Sequence, residues 1–390
     1  MKVLHISTSP PEYLGGLAHF NKFLAKYLGV NNIRVDFLCS SLSREGTIYE
    51  NYSKNVRIIK KKCYGFADND NFLKMKNPIF NTLIYLLKYG KSYDIIHVHS
   101  YIYFSTIQTF IYKLFFGRKI PVILHLHGIL EDHANQTVNF KEKLLFLFKK
   151  YIYDLVIGKK MLKAADAIIS VNKDDLLRSN EVFKVNLSKK KKAYYIPNAV
   201  DPDQFKRIDS FEKQYIGYMN RLTSYNGIDL FLQLIEKYNE IDDKQKFLII
   251  GKGPFFPQVK EAMNKYPITY YEQVPHEEMV KFYNMCLIFT VISRSEGLST
   301  GLLEALACEV PGIASKVGGN PELIKNGITG YLFESGNIDQ AINCILKIKN
   351  NNEHNELGKN GRKMVKSKYS WKLVVRKVIS IYNILIKNNP

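Results

Sequence analysis

Cysteine is scarce in this chain. Five are scattered through 390 residues (Cys39, Cys63, Cys286, Cys308 and Cys344), an odd number with no Cys-x-x-Cys pair. That pattern argues against a disulfide framework and a cysteine zinc site, and it suits a reducing compartment. Long apolar runs are missing too; none approaches the length a bilayer span needs. The opening MKVLHIS is too short and too abruptly polar for a secretory leader, so it reads as a first strand of a cytoplasmic protein. No short-period repeat occurs, and Lys189–Lys192 is the sole low-complexity tract. What remains is globular: 46% hydrophobic and 24% charged residues exclude a disordered chain. The length is enough for a large core and, at about 150 residues per domain, for two or three domains.

Acidic residues are also in deficit. Fifty-six Lys and Arg against 36 Asp and Glu leave a net charge of +20. The imbalance is one-sided: residues 1–200 carry 31 basic and 15 acidic side chains, whereas residues 201–390 carry 25 and 21. Such a field attracts an anionic partner, whether nucleic acid, phospholipid headgroups or a phosphorylated substrate. The bland alternative is a lysine-rich composition with no partner behind it.

Short apolar runs alternate with amphipathic stretches. Strands are expected at Val3–Ser7, Val35–Cys39, Val56–Ile59, Ile95–Ser100, Val122–His127 and Ala167–Val171, with helices such as His19–Leu28 and Phe80–Leu87 between them. Continuous apolar strands separated by helices specify a parallel sheet covered on both faces. The pattern restarts with strands at Tyr215–Met219, Phe247–Ile250, Thr269–Glu272, Leu287–Ile292 and Gly312–Ser315, and helices near Ile228–Tyr238, Glu277–Met285 and Gly301–Ala307. Beyond Asp339 the chain reads as helical. Pro197–Phe205, with two prolines and two aspartates, is the expected linker. Two α/β halves imply a cleft, and ligands of such sheets bind at the carboxyl ends of the strands.

Ser293–Cys308 (SRSEGLSTGLLEALAC) is the most informative segment. An apolar strand runs into a glycine-bearing loop, and a helix opens near Ser299. Ser299 or Thr300 can cap it, which leaves free backbone N–H groups and a dipole to receive an anion. Gly297 and Gly301 allow close approach of a ligand. Two carboxylates, Glu296 and Glu304, flank the site and suit sugar hydroxyls better than phosphate. Donors for phosphate beside acceptors for hydroxyls describe a nucleotide-sugar site; a capped helix with two solvated glutamates is the plainer reading of the same residues.

The surrounding motifs decide between them. Glu296-x7-Glu304 with its flanks through residue 333, Gly15-Gly16 at a helix start, His127-Gly128 after the fifth parallel strand, Pro197-Asn198-Ala199-Val200-Asp201 and Gly251-Lys252-Gly253-Pro254 occur in an order and spacing that resemble the retaining GT-B glycosyltransferases of family 4. The resemblance covers most of the chain. It implies an α/β GT-B fold, with two Rossmann-like doubly wound domains facing a central cleft and helices at the C-terminus. The expected boundaries are 1–200 for an acceptor-binding domain, 201–370 for a nucleotide-sugar domain, and 371–390 for a final helix packing back on the first.

Roles follow from the resemblance residue by residue. Arg221 would grip the donor diphosphate, for which a planar guanidinium fork is suited. Gly16 would bring backbone N–H toward the same phosphates. Glu304 would bind the ribose and Glu296 the donor sugar near the reacting carbon. His127 would sit beside that carbon, with His99 on the acceptor side; His127, Glu296 and Arg221 form the expected catalytic set. Gly251, Lys252, Gly297, Leu298, Ser299 and Thr300 complete the donor site. One departure bears on chemistry: where the family has a lysine five residues after the arginine, this chain has Asn226, a donor without charge, and Lys252 is the candidate to replace it. Asn220 and Glu309 stand where the family commonly has glycine.

His97 and His99 share one strand face, as do His125 and His127. Four histidines at strand ends raise the question of a metal, with Glu131, Asp132 and His133 nearby, but packing or substrate contact is the preferred reading and the resemblance implies no metal or other cofactor. Tyr101–Lys119 and Lys141–Lys163 mix aromatics, leucine and lysine as membrane-surface helices do; a core-facing helix with solvated lysines accounts for any single residue at least as well, and the basic charge of the whole half favours the membrane.

The expected activity is that of a retaining hexosyltransferase. It would carry sugar from a UDP-type nucleotide to a saccharide acceptor, lipid-linked, in capsule, O-antigen or other cell-surface polysaccharide synthesis. The expected place is the inner face of the plasma membrane. A silent sugar-nucleotide binder and a basic nucleic-acid-binding protein are the alternatives; no nucleic-acid recognition motif supports the second.

Overall fold

The computed structural model describes residues 1–10, 16–41, 48–63, 81–128, 149–187, 192–351 and 353–388. Gly15, Glu131, Asp132, His133, Lys189–Lys191 and the first part of Lys141–Lys163 lie outside them. The chain forms two compact units, Met1–Pro197 with Val374–Pro390, and Asn198–Leu373.

The first unit contains strands β1 (Lys2–Ile6), β2 (Arg34–Ser40), β3 (Ile48–Ser53), β4 (Val56–Lys61), β5 (Ile95–His99), β6 (Val122–Leu126), β7 (Ala167–Ser170) and β8 (Ala193–Tyr195). Their spatial order is β3-β4-β2-β1-β5-β6-β7-β8. All neighbours are parallel except β3, which pairs antiparallel with β4. The central strands β5, β6 and β7 are buried along their whole length, and β1 and β2 beyond their first residue, which is why they read as apolar runs. β3 and β8 escaped the sequence reading: both are edge strands, one largely polar (IYENYS) and one three residues long. The sheet order reverses between β1 and β5, and register sets His5 against His97 and His99 against His125.

Helices Gly16–Val30, Thr82–Tyr89, Phe104–Phe115 and Lys173–Phe183 belong to this unit, and Lys149–Gly158 winds as a π-helix leading into Lys159–Ala164. From Val374 onward the last helix, Trp371–Lys387, also belongs here, with Tyr382 fully buried.

The second unit has six described strands, all parallel: β9 (Tyr215–Met219), β10 (Lys246–Ile250), β11 (Ile268–Tyr271), β12 (Cys286–Val291), β13 (Gly312–Ser315) and β14 (Gly330–Phe333). Their order, β11-β10-β9-β12-β13-β14, reverses between β9 and β12. β14 was not anticipated, since YLF offers too short an apolar run. The Ile228–Asn239 and Ile338–Asn350 helices pack Phe231, Leu234, Ile235, Ile342 and Ile345 into the core beside Phe247 and Ile288.

Candidate active site

The carboxyl edge of the second sheet is built at its point of reversal, where doubly wound folds place ligands. β9 ends in the Asn220–Arg221 turn. Asn220 Oδ1 accepts the Arg221 amide at 2.9 Å and the Asn226 side-chain amide at 3.0 Å, and Asn226 Nδ2 also donates to the Arg221 carbonyl at 3.3 Å. The Tyr218 hydroxyl donates beneath them, 3.0 Å from the Arg221 carbonyl and 3.2 Å from that of Asn226. Asn226 is therefore a brace of the turn, and Arg221 stands exposed above it. Gly251 closes the next strand against this turn; a Cβ there would come within 1.9 Å of the Asn220 carbonyl oxygen. Lys252 follows, exposed and with no ion-pair partner among the described residues.

From β12 the chain enters Ser293–Ser299. Arg294 reaches across to Asp229 through both guanidinium nitrogens, at 2.8 and 2.6 Å, and to the carbonyl and hydroxyl of Ser224. Its own amide donates to the Tyr225 carbonyl at 3.0 Å. Those bonds tie the β9 loop to the β12 loop and neutralise the Arg294 charge. Glu296 keeps some exposure as a residue, but the protein packed round its carboxyl disfavours ionisation. Burial raises it to about 7, against the lowering effect of hydrogen bonds from the Gly297 amide and the Ser293 hydroxyl. Gly318 packs under the Glu296 carbonyl with φ of 49°, where a Cβ would approach to 1.7 Å.

Ser299 caps the Thr300–Ala307 helix, its hydroxyl accepting the Leu302 amide at 3.2 Å. Leu298 is buried, and its carbonyl accepts Asn198 Nδ2 at 2.7 Å. Glu304, in the second turn, is buried with both oxygens engaged: His276 Nε2 at 2.8 Å and the Tyr283 hydroxyl at 2.8 Å. Burial and the neighbouring carboxylate push the Tyr283 phenol far above its ordinary range.

The first unit contributes its own carboxyl edge. Gly16 begins the Gly16–Val30 helix after β1. His99 ends β5 fully buried, and His127 follows β6 half-buried, 3.1 Å away between Nδ1 of His99 and Nε2 of His127.

Two family profiles match this chain in succession. "Glycosyltransferase Family 4" matches residues 14–204 and "Glycosyl transferases group 1" residues 201–364. The chain belongs to the family 4 (group 1) glycosyltransferases. It is 23% identical over 391 residues to N-acetyl-alpha-D-glucosaminyl L-malate synthase of Bacillus anthracis, covering 96% of each chain. It is 26% identical over 267 residues to the capsular polysaccharide biosynthesis glycosyltransferase CapM of Staphylococcus aureus, covering 62% of this chain and 67% of CapM. The Anabaena protein HepE in complex with UDP superposes with a TM-score of 0.73 at 14% identity, over 97% of this chain and 99% of HepE, which places the fold in the GT-B class.

In this glycosyltransferase, Arg221, Asn226, Gly251, Lys252, Glu296–Thr300 and Glu304 fall on one edge of the second unit, and Gly16, His99 and His127 on one edge of the first. Several residues at these edges escaped the sequence reading. Arg294 was hidden because Asp229 is 65 positions away. His276 and Tyr283 lie in a region that signals only an amphipathic helix. His5 is one of these residues: β1 lies beside β5, so His5, His97 and His99 place ring nitrogens within 4.8 Å of one another, as do His99, His125 and His127.

Proposed function

We propose that this glycosyltransferase takes its sugar from a nucleoside-diphosphate sugar, UDP-linked, held on the second unit. It transfers that sugar with retention to a lipid-linked saccharide in cell-surface polysaccharide synthesis. The observation that carries the reading is the single edge on which exposed Arg221 and Lys252, a Ser299-capped helix start and the carboxylates Glu296 and Glu304 are assembled. Cations and backbone N–H groups suit a diphosphate; carboxylates suit hydroxyls. The UDP complex of HepE supports the nucleotide, and the capsular role named for CapM supports the pathway class.

In this mechanism Arg221 and the helix start stabilise the charge that develops on the departing diphosphate. Glu296 orients the sugar, and Glu304, preset by His276 and Tyr283, receives the ribose. No carboxylate is assigned as a covalent nucleophile. The acceptor attacks on the face the diphosphate leaves, and the diphosphate takes the acceptor's proton. The reading assigns no metal.

The acceptor end of the reading rests on the basic first half and on an apolar surface. Among the described residues no helix is long and apolar enough to cross a membrane. The Phe104–Phe115 helix and its end nevertheless expose Ile111, Leu114, Phe115 and Phe116, and the Thr82–Tyr89 helix exposes Ile84 and Leu87. Lys88, Lys91, Arg118 and Lys119 accompany them in sequence, a composition suited to an anionic bilayer surface.

A thermal-shift screen of UDP-, GDP-, ADP- and CMP-sugars tests the donor, because a ligand bound to the folded state stabilises it by mass action. UDP-sugars should raise the melting temperature, and Arg221→Ala and Glu296→Ala should abolish turnover in folded protein. Normal turnover in both variants would refute the site. The inward-turned amide of Asn226 favours a second reading, a silent sugar-nucleotide binder; turnover of any donor excludes it.

A further inference from the structure

Six polar groups of the first unit form one unbranched hydrogen-bond chain. His127 Nε2 lies 3.1 Å from His99 Nδ1, His99 Nε2 lies 3.0 Å from His5 Nδ1, and His5 Nε2 lies 3.0 Å from the Tyr382 hydroxyl. The hydroxyl also meets His97 Nδ1 at 2.7 Å, and His97 Nε2 meets His125 Nδ1 at 3.2 Å. Two ring nitrogens are left at the ends. Nε2 of His125 is buried without a partner among the described residues, and Nδ1 of His127 stands at the half-exposed end.

A neutral imidazole has one N–H and one lone pair, so each ring in such a chain dictates the next. Burial keeps all five rings neutral. It holds His5 and His127 down to about 3, and with their neighbours it holds His97, His99 and His125 well below the usual imidazole range. Only two proton orders are then self-consistent. Either all five rings carry the proton on Nε2 and Tyr382 donates to His97, or all five carry it on Nδ1 and Tyr382 donates to His5. The distances separate them. A hydroxyl donor prefers about 2.7–2.8 Å and an N–H donor about 2.9–3.0 Å, so the 2.7 Å bond to His97 is the one Tyr382 donates and the 3.0 Å bond is the one it accepts. His125 Nε2 is stranded in both orders, as an N–H in the first and as a lone pair in the second, so the choice of the first rests on the two Tyr382 distances.

We propose that Tyr382, with His5, His97, His99 and His125, is a positioning device that locks His127 in its Nε2–H tautomer and leaves Nδ1 of His127 a bare acceptor. The inference rests on the reading that His127 lies beside the reacting sugar. At that place a lone pair accepts a hydrogen bond from a sugar hydroxyl and orients it, the acceptor's proton still passing to the diphosphate, whereas the other tautomer would offer an N–H and favour a phosphate or carbonyl oxygen. The same histidines serve a metal poorly. His97 and His99 stack at 4.6 Å and 16°, His125 and His127 at 4.3 Å and 17°, among the described residues no carboxylate belongs to either three-histidine group, and most of their nitrogens are already paired.

Long-range proton–nitrogen correlation spectra of protein labelled at histidine report each tautomer without substrate. In the wild type all five rings should be neutral and protonated at Nε2. A mixed set, a uniform Nδ1–H set or an imidazolium at neutral pH would overturn the proposal with no variant made. Tyr382→Phe removes one hydroxyl and keeps the ring. His127 should then populate both tautomers, and kcat should fall roughly 3- to 30-fold, the scale of one hydrogen bond weakened in the transition state, with KM for the sugar nucleotide unchanged. An unaltered His127 tautomer in Tyr382→Phe would show that the chain locks nothing. Full transfer by His127→Ala would remove His127 from the reaction and sink the functional half of the proposal, whatever the spectra show.

Discussion

Arg294 and Asp229 face each other through a two-pronged ion pair, 2.8 and 2.6 Å long, that joins the first turn of the Ile228–Asn239 helix, directly after the β9 loop, to the loop after β12. Both loops carry candidate donor-binding residues, Arg221 and Asn226 on one and Glu296 on the other. A guanidinium so committed cannot also serve the diphosphate, so Arg294 shapes the site from behind.

Arg294→Ala should therefore leave Asp229 half-buried and unpaired. The expected cost is on the order of 1–3 kcal/mol of folding stability, read from urea unfolding. KM for the sugar nucleotide should rise several-fold as the two loops loosen. Arg294→Lys should recover little, because an ammonium cannot reproduce the fork. An unchanged KM in the alanine variant would show that the tie does not shape the site.

Glu296 provides a pH signature of the unliganded protein. Its folded-state value of about 7 lies above the ordinary 4.5, so the folded state holds the proton more tightly than the unfolded state. Its contribution to stability is full below about pH 4.5, declines as pH rises toward 7 and is lost above that. The full swing is on the order of 3 kcal/mol. Glu296→Gln should flatten this part of the profile, gaining stability relative to wild type above neutrality while losing transfer activity at every pH. Parallel stability profiles from pH 4.5 to 8 would mean that the carboxyl is not desolvated as described.

Asn226 separates charge from bracing. Asn226→Ala removes both bonds to the Asn220–Arg221 turn and should weaken UDP binding by calorimetry. Asn226→Lys adds a cation near the proposed diphosphate and should tighten UDP binding by roughly tenfold, equivalent to about 1.4 kcal/mol. Weaker binding in the lysine variant than in the alanine variant would place the diphosphate elsewhere.

Phe115 and Phe116, 70% and 54% exposed, carry the membrane reading. Replacing both with serine should lower binding to anionic vesicles at low salt while leaving nucleotide binding on the second unit intact. Wild-type protein that ignores such vesicles would end the membrane part of the proposal.

Much of the architecture was legible in the sequence because parallel strands are buried on both faces. β9 and β13 appear as Tyr215–Met219 and Gly312–Ser315 in both readings, and β1, β5 and β6 differ by a residue or two at their ends. Composition and motif order also determined the two doubly wound halves and the family. The edge strands β3, β8 and β14 stayed hidden, since pairing on one side lets polar or very short segments serve.

Side-chain partnership was decided only by the tertiary structure. The sequence marked Glu304, but not that His276 and Tyr283 would hold it; it marked Asn226 as a missing charge, but not as the brace of the Arg221 turn. The histidine chain is the clearest instance, because His5 and Tyr382 are separated by 377 positions and meet only when β1 is laid beside β5 and the last helix returns to the first sheet. Periodicity reports which face of an element is buried. Which buried groups meet there depends on strand order and register, and these are set by packing between segments far apart in the chain.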